Sequence, residues 1–88
     1  MIRRRVRVQG LVQGVFFRDT VRRRARSAGI SGWVRNNRDG TVEAVFEGEP
    51  EAVERLVRLC RLGPRGAVVE RIEVLEETPE GCSGFQIV

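Results

Sequence analysis

The first residues of the chain alternate between apolar and polar positions. Val6 and Val8 lie on one side of this alternation, and the other side carries Arg3, Arg5, Arg7 and Gln9. A period of two residues is typical of a β-strand with one buried face. We therefore predict a half-buried strand over residues 2–9.

Two later segments have apolar residues at helical spacing, which places them on one helix face. In residues 18–28 they are Val21, Ala25 and Ala28, and in the segment that begins near Pro50 they are Val53, Leu56, Val57 and Cys60. Gly29 and the Gly63-Pro64 pair are expected to end the two helices, because glycine favours the position after a helix and proline cannot continue one.

The remaining apolar runs predict strands. Residues 31–36 and 41–47 flank a turn that contains Asp39-Gly40, which is a strong hairpin pattern. Residues 68–76 alternate in the same way as the first strand, and residues 85–88 are expected to form a short edge strand. The predicted order is therefore βαββαβ, followed by this tail.

This order favours an α+β fold, a ferredoxin-like sandwich in which an antiparallel sheet carries both helices on one face. The first and second strands are then parallel, with the third between them, and their C-terminal ends share one edge of the sheet. We expect one domain over residues 1–88, because a chain of this length forms a single core. If the tail pairs beside the second strand, the Val88 carboxylate is expected to contact Arg18.

The turn between the first strand and the first helix has the composition of an anion site. It runs from Gly10 to Arg18 and contains a second glycine, Gly14. The N–H groups of such a turn and of a helix start present partial positive charge. The Arg18 guanidinium matches a phosphate or carboxylate. By glycine spacing alone, however, a plain strand-to-helix connection is the more common explanation.

Asn36 ends the second strand at the same predicted edge. Its amide donates and accepts hydrogen bonds while staying neutral, which suits a group that holds water beside an anion. Two strand spacings separate it from the glycine turn by roughly 10 Å, a gap that Arg18 and Asn36 are able to close. Two interpretations stay open, a functional amide and the first residue of the turn at residues 37–39.

The net charge of +4 suggests a different function, that of a basic nucleic-acid-binding module. Against it, Glu43 and Glu47 are expected to oppose the arginines of the first strand. Phe46 and Trp33 are assigned to core or packing positions, so the sheet lacks an aromatic platform for bases. We expect the helix arginines to form a solvated surface, and nucleic acid binding is the less favoured alternative.

The composition also excludes several chemistries. The chain has no histidine, so an imidazole base and a histidine metal site are ruled out. Cys60 and Cys82 cannot supply a zinc site between them and are expected to be free thiols. No apolar run approaches the roughly 20 residues that span a membrane, and no signal peptide is evident, so we expect a cytoplasmic protein.

Two motifs resemble the paired motifs of the acylphosphatase family. They are Val12-Gln13-Gly14-Val15-Phe16-Phe17-Arg18, and Gly32-Trp33-Val34-Arg35-Asn36 followed by Asp39-Gly40-Thr41-Val42-Glu43. The resemblance extends over nearly the whole chain, including its length and the positions of its helices. It departs at Asp19 and Thr20, where many relatives carry an aromatic or basic residue after the arginine.

The resemblance implies hydrolysis of acyl phosphates to a carboxylate and inorganic phosphate, without a cofactor or metal. Arg18 and Asn36 are the implied catalytic residues, with Asn36 orienting water. The implied phosphate-binding loop comprises Gln13, Gly14, Val15, Phe16, Phe17 and Arg18. We expect a monomer whose only partners are its small-molecule substrate and phosphate. Similar domains also occur within larger carbamoyl-phosphate-handling proteins, so an accessory binding domain is a further alternative to the favoured standalone enzyme.

Overall fold

The computed structural model describes all 88 residues. Five strands and two helices follow in the order β1 (Ile2–Leu11), α1 (Phe17–Ser27), β2 (Ser31–Asn36), β3 (Val42–Gly48), α2 (Pro50–Leu62), β4 (Val68–Glu77) and β5 (Phe85–Ile87). The predicted βαββαβ order and the short final strand are confirmed. β1 extends two residues beyond the predicted end, because Gly10 and Leu11 continue to pair with β4 after a register shift.

All five strands form one sheet in the order β4-β1-β3-β2-β5. Neighbouring strands among the first four pair antiparallel, whereas β5 runs parallel to β2. β3 therefore separates β1 from β2, and the C-terminal ends of β1 and β2 share one edge of the sheet, as predicted. The loop into α1 and the turn after β2 both begin at this edge.

The core lies between the sheet and the two helices. Its buried members include Val6 and Val8 of β1, Val21 and Ala25 of α1, and Val53, Leu56, Val57 and Cys60 of α2. The predicted helix faces are confirmed except at Ala28, which is the exposed C-cap of α1. Gly29 follows with φ 69°, a left-handed conformation that ends the helix as predicted.

The opposite face of the sheet carries paired charges. The strand register places Arg3 opposite Glu47 and Arg7 opposite Glu43, as expected. Arg3 and Glu47 are nevertheless buried, because the segment after β4 folds over them and donates backbone N–H groups to Glu47.

Of the two aromatic residues assigned to core or packing positions, only Phe46 lies in the core. Trp33 lies half-buried on the charged face, with the guanidinium groups of Arg5 and Arg35 at 5.3 Å and 4.8 Å from its ring. The alternation of β2 forces this placement, because Val34 takes the core side.

Candidate active site

The loop between β1 and α1 contains two residues in the left-handed backbone region. Gly14 has φ 75°, and Phe16, the N-cap of α1, has φ 58°. A residue other than glycine seldom adopts this conformation, and such residues concentrate at functional sites. Val12 and Phe17 are 1% and 2% exposed, so both ends of the loop are fixed in the core.

The backbone N–H groups of this loop have no acceptor within the chain. None from Gln13 to Asp19 donates a hydrogen bond to a backbone or side-chain atom, and the first that does is Thr20, to the Phe16 carbonyl at 3.0 Å. The last of these groups belong to the first turn of α1, where the positive end of the helix dipole lies. Unpaired donors and partial positive charge are the properties that bind an anion.

A cavity of about 290 Å³ opens beside the loop. It brings together Arg18 and Asn36, which the sequence predicted to be neighbours. Its lining residues are Val12, Gly14, Phe16, Phe17, Arg18, Asp19, Asn36 and Ile87. Two members of the predicted loop, Gln13 and Val15, do not line it, and Val15 packs against the core instead.

Arg18 lies in the first turn of α1, and its side chain makes no hydrogen bond or ion pair with another residue. The adjacent carboxylate does not neutralise it, because Asp19 binds Arg22 at 2.7 Å and Arg23 at 3.1 Å. The guanidinium of Arg18 is therefore available to an anion in the cavity.

The side-chain oxygen of Asn36 is buried and has no hydrogen-bond partner. A buried polar atom of this kind is uncommon and costs free energy, so it marks a position where an external partner is expected. Asn36 ends β2 on the same sheet face as Val34, the face that packs against the helices. Its amide therefore faces the cavity rather than the charged side of the sheet.

The turn after β2 is held by the neighbours of Asn36. The Asn37 N–H donates to the Thr41 carbonyl at 2.8 Å, and the Asn37 amide donates to the Thr41 hydroxyl at 3.0 Å. The Thr41 hydroxyl and N–H donate to Asp39 at 2.6 Å and 3.0 Å, which lowers the pKa of Asp39. None of the hydrogen bonds that hold the turn involves the Asn36 side chain. This favours the interpretation of Asn36 as a functional amide over that of a turn-forming residue.

Gln13 joins the loop to this turn. Its side-chain amide donates to the carbonyls of Asn37 at 2.9 Å and Thr41 at 3.0 Å. The residue therefore tethers the loop instead of lining the cavity.

The C-terminal strand adds a wall that the sequence did not predict. β5 pairs beside β2, and Ile87 lines the cavity. The expected contact between the Val88 carboxylate and Arg18 is wrong, since no ion pair joins them. The register pairs Ile87 with Val34, and the Val88 N–H donates to the Val34 carbonyl, so Val88 lies beside Arg35 and short of Asn36.

Val12 and Asp19 are also cavity residues that the prediction missed, although both adjoin the predicted loop in sequence. No group of three histidine, cysteine, aspartate or glutamate residues is placed to hold a metal ion. Cys60 and Cys82 are free thiols, as predicted. No helix is both long enough and apolar enough to cross a membrane.

Comparison with known proteins relates this arrangement to one family. The family model for acylphosphatase matches residues 4–87. An acylphosphatase from Rubrobacter xylanophilus is 60% identical over 84 residues, which cover 94% of this chain and 76% of the relative. An acylphosphatase from Gloeobacter violaceus is 53% identical over 87 residues, which cover 99% of this chain and 94% of the relative.

Solved structures give the same result. The crystal structure of acylphosphatase from Bacillus subtilis superposes with a TM-score of 0.94 and 38% identity, over 100% of this chain and 99% of that chain. Full-length HypF in its phosphate- and nucleotide-bound form superposes with a TM-score of 0.90 and 32% identity, over 99% of this chain but 12% of that chain. The same fold therefore exists at this chain's own size and as one part of a larger protein.

Proposed function

This chain belongs to the acylphosphatase family, and we propose that its reaction takes place in the cavity between α1 and the end of β2. The enzyme hydrolyses the carboxyl–phosphate bond of acyl phosphates to a carboxylate and inorganic phosphate. The observation that carries the assignment of the site is the pairing of an unpartnered Arg18 with the orphaned amide oxygen of Asn36 in one cavity. Arg18 thus offers a positive charge for the phosphate, and Asn36 offers a hydrogen-bond acceptor for the water.

Phosphate binding is assigned to the loop and to Arg18. The N–H groups of the cavity-lining loop residues Gly14, Phe16, Phe17 and Arg18 donate to the phosphoryl oxygens, because they have no competing acceptor in the protein. Arg18 supplies a planar, permanently charged group that binds two of those oxygens at once. Binding that strengthens as charge develops on the phosphoryl group lowers the barrier of the reaction.

Asn36 is assigned to the attacking water. Its amide oxygen accepts a hydrogen bond from the water and holds the water oxygen in line with the bond that breaks. The water oxygen forms a bond to phosphorus, while the bond between phosphorus and the carboxyl oxygen breaks and its electron pair leaves with the carboxylate. The proton of the water passes to a phosphate oxygen of the substrate, so no protein base is required. The good leaving group makes positioning and charge stabilisation sufficient.

Nucleic acid binding is not favoured. Arg3 and Arg5 are bound by carboxylates on the open sheet face, and Trp33 is covered by two guanidinium groups. A single domain, a cytoplasmic location, a monomer and independence from metal remain proposals from the sequence. Size-exclusion chromatography with light scattering tests the oligomeric state, and turnover that is lost in chelator would contradict metal independence.

The assignment is tested by hydrolysis of benzoyl phosphate and acetyl phosphate in the presence of chelator. We expect Arg18→Gln to lose at least about 100-fold in kcat/KM, because both binding and charge stabilisation depend on the guanidinium. Arg24→Gln is the matched control, since Arg24 is an exposed arginine of the same helix that lies outside the cavity. Wild-type turnover by Arg18→Gln would place the site elsewhere.

A further inference from the structure

Glu43 lies in β3 on the sheet face opposite the cavity, and 7% of its side chain is exposed. Its carboxylate accepts hydrogen bonds from Arg5 at 2.8 Å, from Arg35 at 3.1 Å and from the Asn37 amide at 3.0 Å. Burial acts to raise the pKa of Glu43, but these three donors outweigh it and lower the pKa to about 2. Glu43 is thus a charged acceptor at neutral pH, and three donors hold it in place.

Asn37 connects this carboxylate to the active site. Its amide nitrogen donates to both Glu43 and the Thr41 hydroxyl, and its amide oxygen accepts from Arg35 at 3.1 Å. All the polar atoms of the Asn37 side chain are therefore engaged. Because Asn37 directly follows Asn36, these bonds hold the backbone that presents the Asn36 amide to the cavity.

The same turn also holds the phosphate-binding loop. The two hydrogen bonds from Gln13 to the carbonyls of Asn37 and Thr41 are the side-chain hydrogen bonds that attach the loop to the rest of the chain. A shift of Asn37 would therefore move two parts of the site together. Misplacement by about 1 Å can cost an enzyme roughly 100-fold in rate.

From these contacts we propose that Glu43 is a positioning residue for the reaction, which acts through Asn37 on both Asn36 and the Gln13 end of the loop. The inference rests on the proposed function, because it assumes that Asn36 and the loop contact the substrate. Glu43 does not line the cavity and exchanges no proton with the substrate. Its contribution is to accept the hydrogen bond of the Asn37 amide on the sheet face opposite the cavity, which holds Asn37 in place.

Glu77 offers a matched control for this role. It lies on the same sheet face and accepts hydrogen bonds from Arg3 at 2.8 Å and Arg5 at 2.7 Å, but it forms no hydrogen bond with the turn. Each change removes a negative charge that accepts hydrogen bonds from two arginines, so both Glu43→Gln and Glu77→Gln are expected to unfold at lower urea concentration. Only a variant that disturbs the turn should also slow the reaction.

The experiment measures kcat and KM for benzoyl phosphate at a temperature where each variant is folded. We expect Glu43→Gln to lower kcat by about tenfold and Glu77→Gln to stay within about twofold of the wild type. Unchanged kcat in Glu43→Gln, or an equal loss in Glu77→Gln, overturns the proposal. If Glu43→Gln does not fold, Asn37→Ala breaks the same connection and is expected to show the same loss of kcat.

A double-mutant comparison tests the path through Gln13. If Glu43 acts on the loop through the turn, Gln13→Ala lowers kcat/KM less in the Glu43→Gln background than in the wild type. Effects that simply multiply would contradict that path. Arg18→Gln separates the two proposals: wild-type turnover in that variant defeats the proposed site, whereas an inactive Arg18→Gln beside a fully active Glu43→Gln defeats only the positioning role.

Discussion

Arg3 and Glu47 face each other across β1 and β3, with the Arg3 Nη1 atom 3.3 Å from the Glu47 Oε1 atom and 5% and 1% of their side chains exposed. Glu47 also accepts the backbone N–H groups of Glu80, Gly81 and Cys82 at 2.8 to 3.1 Å. Those residues belong to the segment that leads from β4 to β5, which carries Ile87 to the cavity. A buried ion pair on one side of the sheet thus fixes the strand that completes the site on the other.

Replacing Glu47 by glutamine should destabilise the protein by about 3 kcal/mol, because the buried Arg3 loses one of its carboxylate partners and three backbone N–H groups lose a charged acceptor. The measurement is the urea dependence of Trp33 fluorescence, which reports unfolding through the only tryptophan. Glu80→Gln is the control, since the Glu80 side chain is 70% exposed and lies 3.7 Å from Arg3. For that exposed pair we expect less than about 1 kcal/mol.

Asn36→Ala should lower kcat on acyl phosphates by about 100-fold while KM changes little, because the amide acts on the attacking water and not on the bound phosphate. The stability of the variant should match the wild type or exceed it, since the Asn36 side-chain oxygen has no partner to lose. Steady-state kinetics and thermal unfolding check the two statements. Unchanged kcat would remove Asn36 from the mechanism.

The stability of the protein should fall in acid. Glu43 has a pKa of about 2 when folded against an ordinary value of 4.5, so the unfolded chain binds more protons between these limits. The pKa values of Glu47, through the Glu80 N–H, and of Glu77, through Arg5 and Arg3, are lowered as well. The stabilisation of the folded state by these three ionised carboxylates is complete above pH 4.5 and is lost as the pH falls towards 2. For Glu43 it amounts to about 3 kcal/mol at roughly 1.4 kcal/mol for each pKa unit.

Urea unfolding at pH 6, 4 and 3 measures this loss. The control is Glu43→Gln, whose stability should depend less on pH over the same interval because one of the titrating groups is gone. A midpoint that is constant from pH 6 to pH 3 in the wild type would contradict the lowered pKa values.

Cys60 should resist thiol reagents in the folded protein. Burial raises the pKa of this thiol to about 12, so almost no thiolate forms at pH 8. Its rate of alkylation should therefore follow the rate of global unfolding and rise in urea. Cys82, which is only partly buried, should react first, as mass spectrometry of the labelled peptides will show. Equal labelling of both thiols without denaturant would contradict the packed position of Cys60.

Much of the fold was predictable because its helices, strands and turns depend on residues that are neighbours in the sequence. The alternation in β1, the helix faces around Val21 and Val53, and the hairpin at Asp39-Gly40 each depend on residues that are close in sequence. Arg18 and Asn36 were also found from local patterns, as a helix start after a glycine turn and the end of a strand. The predicted topology then placed the two at one edge of the sheet.

Other features depend on contacts between residues that are distant in the chain. Ile87 reaches the cavity only because β5 pairs with β2, and in that register no ion pair joins Val88 to Arg18. Gln13 became a tether because the turn carbonyls at Asn37 and Thr41 lie within its reach. Arg3 and Glu47 had the pattern of exposed strand residues, and they are buried because a later segment covers them.

The sequence by itself determined the elements, their order and the two residues to which we assign the reaction, because hydrophobic period, turn residues and side-chain type are properties of short segments. The tertiary structure decided which side chains line the cavity, which amide is left without a partner, and how Glu43 on one face of the sheet connects to Asn36 on the other. Those outcomes depend on strand register and on which segment covers which surface. Both are settled by packing over the whole chain.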